Sequence, residues 1–403
     1  MGLLGIAAIF AIAFALSTNR SEIRWKLVGW GFLLQVVMAV LVLKTPFGEF
    51  ARIFGEGFNQ GRHYAEEGSA CVFGKLGASQ GPDGVVLAFQ VLPLIIFVAS
   101  LFSVLYHLGI MQLVVRFMAV VMQKTLGASG AESLNVAANV FMGMSEAPLT
   151  IKPYLDKLTR SELMVVMTGG MATISGALMV AYVTVGGVPI EHLLTAVIMT
   201  GPGAIVISKI VVPETGEPET LGTVPKHAGE RATNLIEAAA KGASDGLFLS
   251  LNVGAMLVAF VGLIALLNGM MGAVKDFTGL AWMPGDVQTI LSLVFAPIAW
   301  LMGIQWADAG AVGNLLGTRL VLNEFIAYVE LSKIKDTLDP QSFLIAGYAL
   351  CGFANLGSIG ILVGGVGSLI PDRKSELAEL GIRAMLAATM ANFLTACIAG
   401  LLA

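Results

Sequence analysis

The sequence predicts an all-α integral membrane protein with about eight transmembrane helices and two re-entrant helical hairpins. Three observations lead there. Of 403 residues, 56% are apolar and only 12% charged, with a mean hydropathy of +0.83. A soluble domain carries roughly 25% charged residues, and half that density cannot coat a water-facing surface of this size. Uncharged apolar runs close to the ~20 residues needed to cross a bilayer recur along the chain. Glycine is abundant (48) and proline sparse (14), which suits closely packed membrane helices.

The same composition excludes several classes. A net charge of −4 with no basic block leaves no footprint for nucleic acid. Cys71, Cys351 and Cys397 are scattered, so neither a disulfide framework nor a zinc site is expected. His63, His107, His192 and His227 lie far apart, and neither HExxH nor GxSxG occurs. No enzyme chemistry has a motif to stand on.

The apolar runs lie at 2–19, 27–43, 84–108, 163–183, 193–212, 247–268, 342–365 and 384–402. The first has no positive residues before it, while Arg20, Arg24 and Lys26 follow it. It therefore reads as a membrane helix with its N-terminus outside, not as a signal peptide. Placing 17–26 in the cytoplasm also brings Arg116, Lys124, Lys152, Lys157, Arg160, Lys226, Arg231, Lys241, Arg373, Lys374 and Arg383 inside or to the inner interface. The positive-inside rule favours this orientation, with both termini extracytoplasmic. Short loops point to a bacterial inner membrane. Residues 44–83 read as an external loop with short interfacial helices. Residues 213–245 read as a cytoplasmic linker whose ATNLIEAAAKGA portion lies along the surface as a helix.

Two apolar regions are too short or too broken by Gly and Pro to span simply, one near 131–155 and one near 288–336. Each carries an acid in its middle, Glu146 and Glu324. An ionisable group in hydrocarbon costs about 2.5–3.5 kcal/mol on insertion scales, so it must face a polar cavity or a partner. Hairpins that enter the membrane and turn back fit both lengths. Each is followed by a helix with a Gly-rich interruption, GGMATISG (169–176) near 161–183 and CGFANLGSIG (351–360) near 341–365. Paired hairpins and broken helices, if inverted, point to a substrate site near the midplane of a secondary transporter. Unwinding frees carbonyls for a cation and aims N–H groups at a polar solute. Asp308 and Arg319 read as a structural pair or cap bracing the second tip, and most methionines as core filling.

At these residues the chain resembles the concentrative nucleoside transporter family. The resemblance runs from about residue 84 to the C-terminus. Its most specific portions are SEAPLTIKPYL (145–155), GGMATISG, FAPIAWLMGIQWADA (295–309), GNLLGTRLVLNEFIAY (313–328) and CGFANLGSIGIL (351–362). It implies an elevator-type homotrimer in which each protomer has its own site and a transport domain moves against a trimerising scaffold. On that pattern, 1–112 are mainly scaffold helices and external loop, and 113–212 form the first transport repeat. Residues 213–245 are the linker, 246–285 a scaffold helix, and 286–403 the second transport repeat with the last helix.

The resemblance also implies a nucleoside substrate and assigns roles. Ser145 and Glu146 match the family's base-binding tip, with Leu178 as an apolar contact to the base. Met144 stands where the family has Gln, and a thioether cannot offer the donor and acceptor of an amide. Preference for another base, such as a purine or modified nucleoside, stays open. Glu324 matches the ribose-binding glutamate, Asn355 and Ser358 the groups that contact the sugar, and Phe353 an aromatic wall. The family's sodium site maps to side-chain oxygens of Asn139 and Thr173 and to carbonyls of Met142 and Ile174. These uncharged oxygens favour Na+ as coupling ion, with H+ the alternative.

Overall fold

A computed structural model describes residues 1–45, 63–77, 86–225, 232–280 and 282–402, and these are all-helical. The external loop expected over 44–83 falls in part outside the described residues, as do Lys226 and Arg231 of the linker.

Helix α1 (Gly2–Ala15) leads through a turn to α2 (Trp25–Lys44). In that turn Arg20 donates from Nε to Phe14 O (3.2 Å) and from Nη2 to Ala15 O (3.0 Å), satisfying carbonyls that the end of α1 leaves free. A helix at 63–73 (α3) precedes α4 (Leu87–Gln90) and α5 (Leu92–His107). Gly109, at φ 84°, turns the chain sharply into α6 (Ile110–Leu126). That helix buries Met111, Val115, Ala119, Met122 and Leu126 along one stripe.

The first hairpin consists of α7 (Gly130–Asn139) and a 3-10 helical leg, Ala147–Lys157. Then come α8 (Arg160–Ala172), α9 (Gly176–Gly186) and α10 (Ile190–Val211). Ser129 with Glu132, and Thr159 with Glu162, form capping boxes at the starts of α7 and α8. Lys209 of α10 closes the root of the hairpin, 2.8 Å from Glu132 and 3.0 Å from Glu214.

The second half repeats this order: α11 (Leu235–Thr278), α12 (Val287–Leu301), α13 (Trp306–Val321), α14 (Glu324–Ile334), α15 (Pro340–Leu350), α16 (Leu356–Leu369) and α17 (Lys374–Leu402). Two helices, a hairpin, a broken helix and a closing helix thus occur twice. Over 288–336, where the sequence places one hairpin, the structure holds three helices. The hairpin legs are α13 and α14, whereas α12 folds back along α13 through a 119° bend and corresponds to α6.

Six helices among the described residues are long and apolar enough to cross a bilayer, against about eight expected. Two local facts account for the difference. Helix α1 has only 14 residues, about 21 Å at ~1.5 Å per residue, and the expected run 342–365 is divided between α15 and α16.

The hairpins enter from opposite ends of the bundle, and α17 is the ruler that shows it. Near its start, Glu379 pairs with Arg160, just past the root of the first hairpin (2.5 Å). Near its end, Gly400 O accepts from Gln341, just past the root of the second (2.9 Å). The separation along the helix is about 31 Å, matching a hydrocarbon core of ~30 Å.

Burial is divided as sharply. All of α7 is buried, and so is every residue from Ser161 to Ala172 of α8. Helix α11 buries only Ala238, Gly242, Gly246 and Ser250. That small-residue stripe lies on α5: a Cβ at Gly242 would meet Ala99 O at 2.7 Å, and one at Gly246 would meet Ile96 Cα at 2.7 Å. Helices α1 and α2, grouped by the sequence with the scaffold, pack against α10 and α17.

Candidate functional site

Each hairpin places its acid where the returning leg begins. Glu146 immediately precedes the leg Ala147–Lys157, and its backbone N–H donates to Gly143 O (3.0 Å). Glu324 is the first residue of α14, whose start is capped by the Asn323 side chain accepting from Ile326 N (2.9 Å). Both carboxylates therefore sit at a helix N-terminus, where the backbone dipole favours negative charge.

The helix breaks lie beside the tips. Between α8 and α9, Thr173 is extended and Ser175 caps α9, accepting from Leu178 N (3.4 Å). Between α15 and α16, residues 351–354 are irregular. Asn355 caps α16 there, its Oδ1 accepting from Ser358 N (2.9 Å) and Ser358 Oγ (3.1 Å). The Asn355 amide donates to Glu324 Oε2 at 3.2 Å, while Tyr182 OH donates to Oε1 at 2.7 Å. A continuous chain of hydrogen bonds thus runs from Tyr182 through Glu324 and Asn355 to Ser358.

A cavity of about 910 Å³ opens between the two tips, within the 300–1,000 Å³ typical of small-molecule sites. Met144, Ser145, Glu146 and Leu178 line it from the first repeat, and Glu324, Phe353, Asn355 and Ser358 from the second. All eight residues singled out from the sequence for a substrate meet in this one space. Met144 is fixed by close packing: a Cβ on Gly170 would stand 3.0 Å from Met144 Cβ. The opposite wall comes from α5, α6 and α11, with Tyr106, Gln112, Asp245 and Asn252. These polar residues were missed. Asn252, alone among apolar neighbours in α11, carried the same kind of signal that exposed Glu146 and Glu324.

Of the four residues expected at the ion site, Met142 lines the cavity, while Asn139, Thr173 and Ile174 are buried outside its lining. Asn139 donates from Nδ2 to Asn135 O (3.0 Å) and Asn135 Oδ1 (3.1 Å), while its own Oδ1 is buried without a partner. Thr173 gives its hydroxyl proton to Gly169 O (2.9 Å), which leaves the oxygen free to act as an acceptor. Gly169 is where α7 and α8 touch, since a Cβ there would lie 3.7 Å from Asn139 Nδ2. Met142 and Ile174 stand next to these two oxygens in the chain, in the irregular stretches after α7 and α8. A buried amide oxygen without a partner and a hydroxyl whose proton is committed are uncharged oxygens of the kind that fit a hard monovalent cation.

Arg319, expected to pair with Asp308 or cap, is fully buried and holds carbonyls of the second break. It donates from Nη1 to Ala349 O (2.6 Å), from Nε to Gly352 O (3.2 Å), and from Nη2 to Asn392 Oδ1. Asn392, on α17, donates in turn to Cys351 O (2.9 Å) and to Ala172 O at the end of α8 (2.7 Å). One amide therefore links both breaks. Asp308 accepts from Asp339 N instead (3.1 Å).

Opposed hairpins, paired broken helices and a polar cavity at their meeting point define a secondary transporter. Known proteins give the family. A model described as "Na+ dependent nucleoside transporter C-terminus" matches residues 192–400, its N-terminal counterpart matches 4–76, and one described as "Nucleoside recognition" matches 88–189. Nucleoside permease NupC of Helicobacter pylori is 40% identical over 407 residues, covering 98% of this chain and 96% of that protein. The solved structure of CNTnw in an inward-facing substrate-bound state aligns with TM-score 0.92 at 41% identity, covering 100% of this chain and 98% of that one. A CNTnw variant in an outward-facing state aligns with TM-score 0.92 at 39% identity, covering 100% and 97%. The chain belongs to the Na+-dependent nucleoside transporter family.

Proposed function

We propose that this chain is a sodium-driven nucleoside importer working by alternating access, with base recognition by Ser145 and Glu146 and ribose recognition by Glu324, Asn355 and Ser358. One observation carries the reading: two acids at opposed hairpin tips face one cavity, with an unpartnered Asn139 oxygen behind the first tip. A ribose hydroxyl donates to the Glu324 carboxylate, a charge-assisted bond worth roughly 1.5–3 kcal/mol. Leu178 and Phe353 supply apolar walls for the base and sugar. A bound nucleoside bridges the two repeats and covers polar groups that are costly to carry through lipid unpaired.

Sodium supplies the gradient and a positive charge among the oxygens of Asn139, Thr173, Met142 and Ile174. On the positive-inside orientation both termini are extracytoplasmic, in a bacterial inner membrane. The cavity lining runs from the midplane toward Lys152, Ala232 and Lys241, the end assigned to the cytoplasm, so this conformation faces inward. The exposed apolar face of α11, including Val258 (80%) and Phe277 (93%), suits lipid and the neighbouring protomers of a homotrimer.

The test is uptake of labelled uridine and adenosine into proteoliposomes under an inward Na+ gradient, an H+ gradient, or none. Accumulation that requires Na+ and is lost in a folded Glu324→Gln variant is expected. Accumulation on H+ alone removes the sodium assignment, and normal uptake by Glu324→Gln removes the ribose assignment.

A further inference from the structure

Glu324 is held by two groups with different histories in the argument. Asn355 belongs to the sugar-contacting set expected from the sequence; Tyr182 does not. Tyr182 lies on α9, in the first repeat, yet its hydroxyl is 2.7 Å from a carboxylate of the second. Its ring is fully buried, stacked on Tyr328 (centroids 4.8 Å apart, 17° between planes) and edge-on to Phe325 (5.7 Å, 67°). Tyr328 is itself anchored to Gly347 O (2.8 Å). A Cβ on Gly186 would come within 2.7 Å of the Tyr328 ring, so α9 fits closely against α14.

We infer that Tyr182 is the positioning residue for Glu324, fixing the carboxylate so that it reads a vicinal diol. The inference rests on the ribose reading of Glu324 given above. A carboxylate offers about four lone-pair sites, two on each oxygen. Tyr182 pins Oε1 and Asn355 pins Oε2, so the carboxylate is held by one side-chain donor on each oxygen while Glu324 lines the cavity. Two adjacent hydroxyls on a five-membered ring are the ligand that meets both ends of a carboxylate held in this way. Removing the Tyr182 hydroxyl leaves Oε1 without its fixed donor and lets the carboxylate turn about its last bond. The paired geometry is then lost, although the charge remains.

A purely structural tyrosine would affect stability and leave sugar discrimination alone, so the experiment measures discrimination. Equilibrium binding of uridine, 2′-deoxyuridine and 3′-deoxyuridine is compared for the full-length wild type, Tyr182→Phe, Glu324→Gln and the double variant. Tyr182→Phe is expected to weaken uridine binding about tenfold, equivalent to one charge-assisted hydrogen bond's contribution at the low end. Its preference for uridine over either deoxynucleoside should fall to within about threefold. An unchanged preference overturns the inference. If Glu324→Gln binds normally, the ribose reading fails first; if it binds poorly while Tyr182→Phe is normal, only Tyr182 is dismissed. Should Tyr182→Phe fail to fold, the double variant is compared with Glu324→Gln alone. A group acting only through Glu324 adds nothing there, and a further loss of binding overturns the inference.

Discussion

The two helix breaks occupy equivalent places in the two repeats, yet they are held in different ways. The second break is tied down from three directions: Arg319 holds Ala349 O and Gly352 O, Asn392 holds Cys351 O, and Asn355 caps the helix that follows. A Cβ at Gly352 would stand 2.5 Å from Asn392 Oδ1 and 2.7 Å from Ala172 O, so even the space there is taken. At the first break, Asn392 reaches Ala172 O and Thr173 bonds back within its own helix, and no charged side chain arrives among the described residues. Beside it lies the orphaned Asn139 oxygen. A buried acceptor without a donor is costly unless something outside the chain completes it. One break is finished by the protein itself, and the other leaves an oxygen open, which is where the proposed sodium ion would bind.

This contrast can be broken in its strong half. Arg319→Met leaves two carbonyls of the second break and Asn392 Oδ1 without their donor. The loss should be on the order of 3–5 kcal/mol, read as a collapsed monodisperse peak in detergent and no uptake. A folded, active Arg319→Met protein would mean that the break holds without its arginine. In the weaker half, Asn139→Ala should spare the fold and raise the sodium concentration for half-maximal nucleoside binding by about 10–30-fold, the equivalent of ~1.4–2 kcal/mol. A sodium titration of binding checks it, and an unchanged midpoint would show the orphaned oxygen to be idle. The smallest effect sharpens the comparison. Met144→Gln restores an amide at the first tip and should improve uridine affinity about three- to tenfold, with adenosine changed less. Competition binding decides it, and an unaltered uridine-to-adenosine ratio would mean that position 144 does not face the base.

The features legible in the sequence were those whose cost is local. Glu146 and Glu324 stood out because an acid in an apolar run requires a reason, and the glycine-rich interruptions marked the breaks without reference to anything distant. What the sequence hid depends on contacts between far-apart segments. Nothing near Tyr182 says that its hydroxyl meets Glu324, and nothing near Arg319 says that its partners are the carbonyls of Ala349 and Gly352 and an amide on α17. The separation of α12 from the second hairpin was hidden for another reason. Apolar helices that span, lie flat or re-enter share one composition, and only packing tells them apart.

The buried charges also dictate an order of assembly. Glu132 leaves the ribosome well before Lys209, and Arg319 precedes Asn392 by 73 residues. Arg319, close to the second tip, cannot enter hydrocarbon unpaired without a cost of about 2.5–3.5 kcal/mol, and Glu132, at the first hairpin's root, is buried only once Lys209 pairs with it. Each must wait in water or at the lipid headgroups until a later helix brings its partner. The first hairpin therefore reaches its final place only once α10 is in the membrane, and the second only once α17 is.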